Sequence, residues 1–508
     1  MPTTITCRRL DAVAARVGSQ KVLYVPHDIW LYIASFLPIR AVRNLYSVNS
    51  SFFDIAMDAR YRQVDLCGGL DRVMSRKLDH MKDQHVSTRI RCLHIRPWHI
   101  DDIEPPKPGY FSRIRKKIKR MVDPEFPELE AKQLVQRRVQ TELKVIMDVV
   151  KTIKDGVTEY FIEWDEQPLY HALFFSTLLH PLLRHVAHNL RKLTIKVPVE
   201  RFRALIPSER KSQPVVLKNL RELRITLFTG SLPKKEIDEN LEVLILFMHN
   251  VASTLQTLSI TTTHNSANLD LSRFFHLLGK FPRLRHFSLS IPADGAHLSD
   301  VSSLKEFLFE HTLRSLSLTT LPSTSGVVQH YDAQEPCWIP KTLKDAHFEE
   351  LDTLTVSLID FRRAREPTLR FLRSFAPNLT TLVLVDHLLT FEEVQHVLGP
   401  SVFRGMSRLE RLAFSMTNFG PALMDFVVHT HPRLERLDVV FDHLSHGFHL
   451  DIFVMAMESR MYTECLISQV GLQLYSRARR ALLPRNAAER LSGAFQACLP
   501  QFDELTFV

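Results

Sequence analysis

Apolar positions recur along the chain in one short figure, Leu-x-x-Leu-x-apolar. It reads "LRKLTI" from residue 190, "LRELRI" from 220, "LQTLSI" from 255, "LRHFSL" from 284 and "LRSLSL" from 313. It continues as "LDTLTV" from 351, "LTTLVL" from 379, "LERLAF" from 409 and "LERLDV" from 434. Looser copies stand at 90 ("IRCLHI"), 157 ("VTEYFI") and 502 ("FDELTF"). Apolar residues two apart with a polar one between them predict a strand with one covered face. Between copies the apolar residues return near i, i+3, i+4, as in "LSRFFHLLGKF", "SSLKEFLFE", "FEEVQHVLG" and "ALMDFVVHT", which predicts helices. Pro282, Pro377 and Pro432, in "FPRL", "APNL" and "HPRL", each stop a helix and direct the chain into the next strand.

The nine tight copies follow one another at steps of 25 to 38 residues. That spacing holds one strand, a turn, one helix and a return. Stacked units of this kind give an α/β solenoid with a parallel sheet, because no single unit can bury its own apolar face. The figure resembles a leucine-rich repeat over roughly residues 85–508. The resemblance implies a horseshoe with the sheet on its concave side. The family's Asn, three positions after the last Leu, is missing: Pro198, Phe228, Thr263, Pro292 and His387 are among its replacements. Irregular turns after the strands are therefore expected. By strand alternation the uncovered face should carry Lys192, Lys196 and Arg224, then Thr257, Ser259, His286, Ser288, Ser315, Ser317, Thr353 and Thr355, then Arg411 and Arg436. Two readings stand for this row: a polar surface that holds a protein substrate, or hydroxyls that simply tolerate water. The outer cations suit an acidic or phosphorylated ligand.

A different pattern occupies residues 25–56, "VPHDIWLYIASFLPIRAVRNLYSVNSSFFDIA". Ile29, Ile33, Phe36 and Leu37 fall on one helix face, widened by Trp30 and Ala34. Pro26 suits the start of that helix and Pro38 its end. Val42, Leu45 and Val48 mark a second helix. Asn49 is a good N-cap for a third, which carries Phe52, Phe53 and Ile55. Three such short helices carry more apolar surface than they can cover among themselves. The stretch resembles an F-box, with Val25 at the usual Leu, Ala41-Val42 where an acidic residue and Leu are common, and Asn49 at a frequent Cys. The resemblance implies docking on a Skp-type adaptor, and through it on a cullin–RING ubiquitin ligase, by Val25, Pro26, Ile29, Ile33, Leu37, Pro38 and Val48. Ile33, Leu45 and Phe52 read equally well as the small module's own core. F-box and repeats together resemble fungal-type substrate adaptors of SCF ligases; a non-degradative scaffold that binds the adaptor without cullin is the alternative.

Composition leaves this picture standing. The 508 residues are 45% hydrophobic and 24% charged, ordinary for a globular chain of several units or one long repeat. Fifteen glycines are few for phosphate-cradling loops. No apolar run reaches the roughly 18 residues of a membrane span, and "MPTTITCRRLDAVAARVGSQ" lacks the core of a secretory signal. The six cysteines (7, 67, 92, 337, 465, 498) are scattered, as expected of reduced thiols in cytoplasm or nucleus. The net charge of +9 permits anionic partners without demanding them, and nucleic acid is not the expected one. The expected organisation is a disordered tail over 1–21, an F-box over 22–66, the solenoid over 67–465 with a basic insertion at about 101–126, and a capping segment over 466–508.

The remaining candidates are weaker. "RIRKKIKR" at 113–120 reads as a nuclear import signal, an anion contact or a solvated basic helix. The next segment, "PELEAKQLVQRRVQTELKVIMDVVKTI", predicts a long amphipathic helix packed on the first repeats. His443, His446 and His449 are spaced like metal ligands, but Gly447 interrupts an ideal helix, so no metal is expected. Cys92 and His94 share a strand face without a second pair. No nucleotide-loop, zinc-protease or nucleophile-elbow motif appears, so no catalytic residue, cofactor or enzyme activity is expected. An enzyme would have to use an insertion pocket, such as one near 322–348.

Overall fold

A computed structural model of the chain describes residues 25–66, 72–96, 126–153, 156–164, 174–206, 216–266, 268–321, 337–403, 408–444, 450–475 and 486–507. The tail over 1–21, the basic run 113–120, and His446 and His449 lie outside them. The described residues form an α/β, solenoid-like molecule. One all-parallel sheet runs in strict chain order through 14 strands. These are β1 Gln63–Leu66, β2 Cys92–Ile95, β3 Glu159–Glu163, β4 Lys192–Pro198, β5 Glu222–Phe228, β6 Thr257–Thr262 and β7 His286–Ile291. They continue as β8 Ser315–Thr320, β9 Thr353–Ser357, β10 Thr381–Val385, β11 Arg411–Phe419, β12 Arg436–Leu444, β13 Gln469–Leu474 and β14 Glu504–Phe507.

The second Leu of the figure stays in register from strand to strand. Leu193, Leu223, Leu258, Phe287, Leu316, Leu354, Leu382, Leu412 and Leu437 form one row. The row reaches back to Tyr160, Leu93 and Val64, and on to Val470 and Leu505. From Val64 to Val470 these residues are buried under helices that pack side by side on that face. They belong to one continuous apolar core running from Val64 to Leu499. The helix Phe126–Lys151 adds Leu143, Ile146 and Val150 to it, as its amphipathic pattern predicts.

Two strands escape the Leu figure. β1 and β13 carry it as Tyr61-x-x-Val64-x-Leu66 and Ile467-x-x-Val470-x-Leu472, with β-branched residues in the second position. The sheet therefore starts at the end of the three-helix segment and continues through 466–508.

Polar side chains join neighbouring units beyond the ends of the strands. Beyond β5 to β7, the Thr229 N–H donates to Ser266 Oγ (3.2 Å), and His297 Nδ1 meets Thr262 Oγ1 (2.9 Å). Beyond β8 to β10, Thr320 Oγ1 bonds Ser357 Oγ (3.1 Å) and donates to Asp386 Oδ2 (2.9 Å). Asp386 sits at φ 64°, a left-handed conformation that Asp tolerates better than most residues. On the helical side, histidines reach across repeats. His431 Nε2 donates to the Leu398 carbonyl (3.1 Å), and His249 Nε2 faces the Leu277 and Leu278 carbonyls at 3.1 and 3.0 Å. Each meets carbonyls at a neighbouring helix end that have no partner inside their own helix. No helix among the described residues is long and apolar enough to cross a membrane.

Candidate functional site

The first candidate surface lies on the three N-terminal helices, α1 His27–Ser35, α2 Ile39–Asn44 and α3 Ser50–Tyr61. Pro26 occupies the N-cap of α1 and Pro38 that of α2. Asn49 caps α3 as expected, its Oδ1 accepting the Phe52 N–H at 2.8 Å. The core of this module is small: Ala34, Val42 and Phe52, with Trp30, Leu37, Leu45 and Ile55 half-buried around them. The Trp30 and Phe52 rings meet at 5.2 Å.

The inward face of α1 is thus Trp30, Ala34 and Leu37, not Ile29 and Ile33. Pro38 is the physical reason. It disfavours the α conformation at the residue before it, Leu37, while Phe36 still holds that conformation. The helix closes on a tight turn in which the Leu37 N–H donates to the Ala34 carbonyl (3.1 Å), and Leu37 swings onto the core. Phe36 is left 69% exposed, Ile29 47% and Ile33 38%. Of the residues with two readings, Phe52 is core at 4% exposure, Leu45 lies at its edge and Ile33 is outside it. Val48 is 58% exposed, Pro26 and Pro38 are exposed, and Val25 is half-buried. Leu31, Tyr32, Tyr46 and Phe53 add exposed apolar surface beyond the Ile29–Ile33 face. Its signal was present: "IWLYIASFL" is apolar all round, which calls for cover on two sides.

The second candidate surface is the uncovered face of the sheet. Every residue expected there is in register on it, from Lys192 beside Glu159 and Glu222 to Arg411 beside Arg436. In its middle, Thr257, Ser259, His286, Ser288, Ser315, Ser317 and Thr355 make no side-chain hydrogen bond among the described residues, while Thr353 donates to Asp352 Oδ1 (2.8 Å). The cations at either end already have partners. Lys196 Nζ meets Glu163 at 2.7 Å, and Lys192 lies 3.4 Å from Glu222, which also binds Arg224. Arg411 and Arg436 share Asp438 at 3.4 and 2.8 Å. A phosphorylated or acidic ligand would have to displace these carboxylates, so the outer cations do not form an open anion site.

At the first end of this face, Arg96 Nε donates to His94 Nε2 (2.9 Å), and His94 Nδ1 then donates to Asp65 Oδ1 (3.1 Å). Burial, with Arg96 beside it, lowers the His94 pKa. Burial pushes Glu163 up, but the hydrogen bond and charge of Lys196 outweigh it, and the carboxyl titrates below its usual range. The cluster is a neutral imidazole held between compensated charges. Burial pushes the nearby Cys92 thiol up to about 11, which keeps it protonated.

The insertion candidate near 322–348 is described from 337 onward. A cavity of about 590 Å³ there is mostly apolar and includes Cys337, His347 and Ser374. These three are not hydrogen-bonded to one another among the described residues; Ser374 Oγ donates to the Phe371 carbonyl (2.7 Å), and burial raises the Cys337 thiol to about 11. No three His, Cys, Asp or Glu side chains converge as a metal site among the described residues. No family model and no curated protein matches this chain.

Proposed function

We propose that this chain is the substrate-recognition adaptor of an SCF-type cullin–RING ubiquitin ligase. In this reading α1 to α3 are an F-box, the sheet and its helices are an irregular leucine-rich repeat solenoid, and the protein works in cytoplasm or nucleus. The observation that carries it is the apolar surface left bare on the module by Ile29, Tyr32, Ile33, Phe36 and Val48. Covering one such side chain contributes about 1.5–3 kcal/mol, so a few of them suffice for a firm contact with a Skp-type adaptor. The uncovered polar face of the sheet then holds a protein substrate near the charged ubiquitin-conjugating enzyme. The gain is proximity, and this chain does no chemistry of its own.

The test is capture of the Skp-type adaptor by the full chain carrying Ile29→Asp and Ile33→Asp. Both residues are outside the module core, so the variant should fold, with an unchanged circular dichroism spectrum and melting curve. Capture should drop by about a hundredfold or more, since two charges would enter an apolar contact. Undiminished capture by the folded variant would sink the reading. Whether cullin travels with the adaptor separates a ligase subunit from a scaffold.

A further inference from the structure

One residue per repeat stands immediately before each strand, and backbone bonds stack these residues into a row. Arg91 N–H donates to the Arg62 carbonyl at 2.9 Å, Arg191 N–H to Thr158 at 2.8 Å and Arg221 N–H to Arg191 at 2.8 Å. The same ladder carries on through Arg285 and Arg314 and then turns acidic at Asp352, Glu410, Glu435 and Asp503. The row is basic at its beginning and acidic at its end.

The arginines are not equally compensated. Arg285 and Arg314 share Glu350 at 3.1 and 3.4 Å. Arg62, Arg191 and Arg221 make no side-chain hydrogen bond or ion pair among the described residues. Arg91 spends one N–H on the Gly156 carbonyl (3.2 Å). These four guanidinium groups border one polar cavity of about 670 Å³ under β1 to β5, with Asn189 and Asn219 beside them. Its one acid, Asp58, is occupied by Arg89 at 2.6 Å. Thr158, the one short side chain in this part of the row, leaves room between the pair on β1–β2 and the pair on β4–β5.

Strands lie about 4.8 Å apart, so the fold holds these like charges side by side. Each guanidinium offers five N–H donors in a rigid fork, and a single carboxylate accepts only about four bonds. The donor set therefore exceeds what one carboxylate can use and matches several phosphate groups, each with multiple acceptor oxygens. We propose that the cavity at the N-terminal edge of β1 to β5 binds a ligand carrying clustered phosphate groups. This site is separate from the module's apolar surface and from the uncovered face of the sheet, and it does not depend on the ligase reading.

Two sources share this chemistry, a small polyphosphate and a protein segment with neighbouring phosphoserines. Calorimetry on the full chain should use inorganic tripolyphosphate as one probe and a doubly phosphorylated serine peptide as the other, at low and at raised salt. Binding of either probe, weakened about tenfold or more in Arg191→Gln/Arg221→Gln but not in Arg285→Gln/Arg314→Gln, supports the site. The probe that binds identifies the source. Arg191, Arg221 and Arg314 are exposed and Arg285 is half-buried, so the melting temperature is measured for each variant to check its fold. Three results would overturn the proposal: no binding of either probe, equal loss in both double variants, or tighter binding of a short single-stranded RNA through the same arginines.

Discussion

The three-helix module and the sheet that follows it use apolar residues in opposite ways. Along the sheet every Leu in the register row up to β12 is covered by helices, and the core passes unbroken from one repeat to the next. In the module Ala34, Val42, Phe52 and Ala56 are covered, while aromatic and branched side chains such as Tyr32, Phe36 and Val48 face water. The two cores are separate clusters, although α3 leads into β1 across Arg62 alone and Arg89 ties Asp54 and Asp58 of α3 to the first repeats at 2.6 Å each. Apolar content alone therefore does not say where a residue goes. A repeat supplies its own neighbour, and a lone module does not.

The contrast predicts that removing bulk will cost stability in one region and leave it intact in the other. Leu316→Ala in the register row leaves a cavity between packed layers and should destabilise the protein by about 3 kcal/mol, read from urea unfolding. A cost near zero would mean that the row is not the core it is taken for.

Acid should weaken the repeats and spare the module. His431 is fully buried, and burial lowers its pKa to about 4 although its bond to the Leu398 carbonyl opposes the shift. His311 and His297 are also buried with pKa values lowered mainly by burial. The unfolded chain takes up these protons near pH 6.5 and the folded chain at lower pH, for His431 near 4. Stability is thus complete above about pH 6.5 and falls as the pH drops toward the folded values. His431 alone should remove about 2 kcal/mol between pH 7 and pH 5. The melting temperature of His431→Gln should depend less steeply on pH over that interval, and an unchanged slope would exclude His431 as a source.

The smallest effect belongs to the module surface. Ile29→Ala should shift unfolding by no more than about 0.5 kcal/mol, measured by the same urea titration. A loss above 1 kcal/mol would show that Ile29 is covered within the chain itself.

The repeat was legible because an apolar residue, most often Leu, at every second strand position reports both the period and the covered face. β1 and β13 were not, because Val64 and Val470 fill the same role with a different side chain. The identity of the uncovered row was readable from alternation alone. Its electrostatics were not: Lys196 meets Glu163 only because β3 and β4 are neighbours, and residues 164–191 separate them in the chain. Which face of α1 is covered was not legible for a similar reason. Which of its apolar faces turns inward depends on Phe52 across the module and on the turn that Pro38 imposes. The arginine row hid in plain view, since the residue after the first Leu carries no periodic hydrophobic signal.

The sheet pairs each strand only with its neighbours in sequence. Residues 96–158 separate β2 from β3 and residues 263–285 separate β6 from β7, yet both pairs set a Leu beside an aromatic residue in the same register, Leu93 with Tyr160 and Leu258 with Phe287. Closing the longer connection costs only about 0.9 kcal/mol more in chain entropy. Any one connection can therefore lengthen, shorten or change its sequence while every other strand keeps its address. Such a molecule can acquire new surface loop by loop, on a frame that does not have to be refolded to accept them.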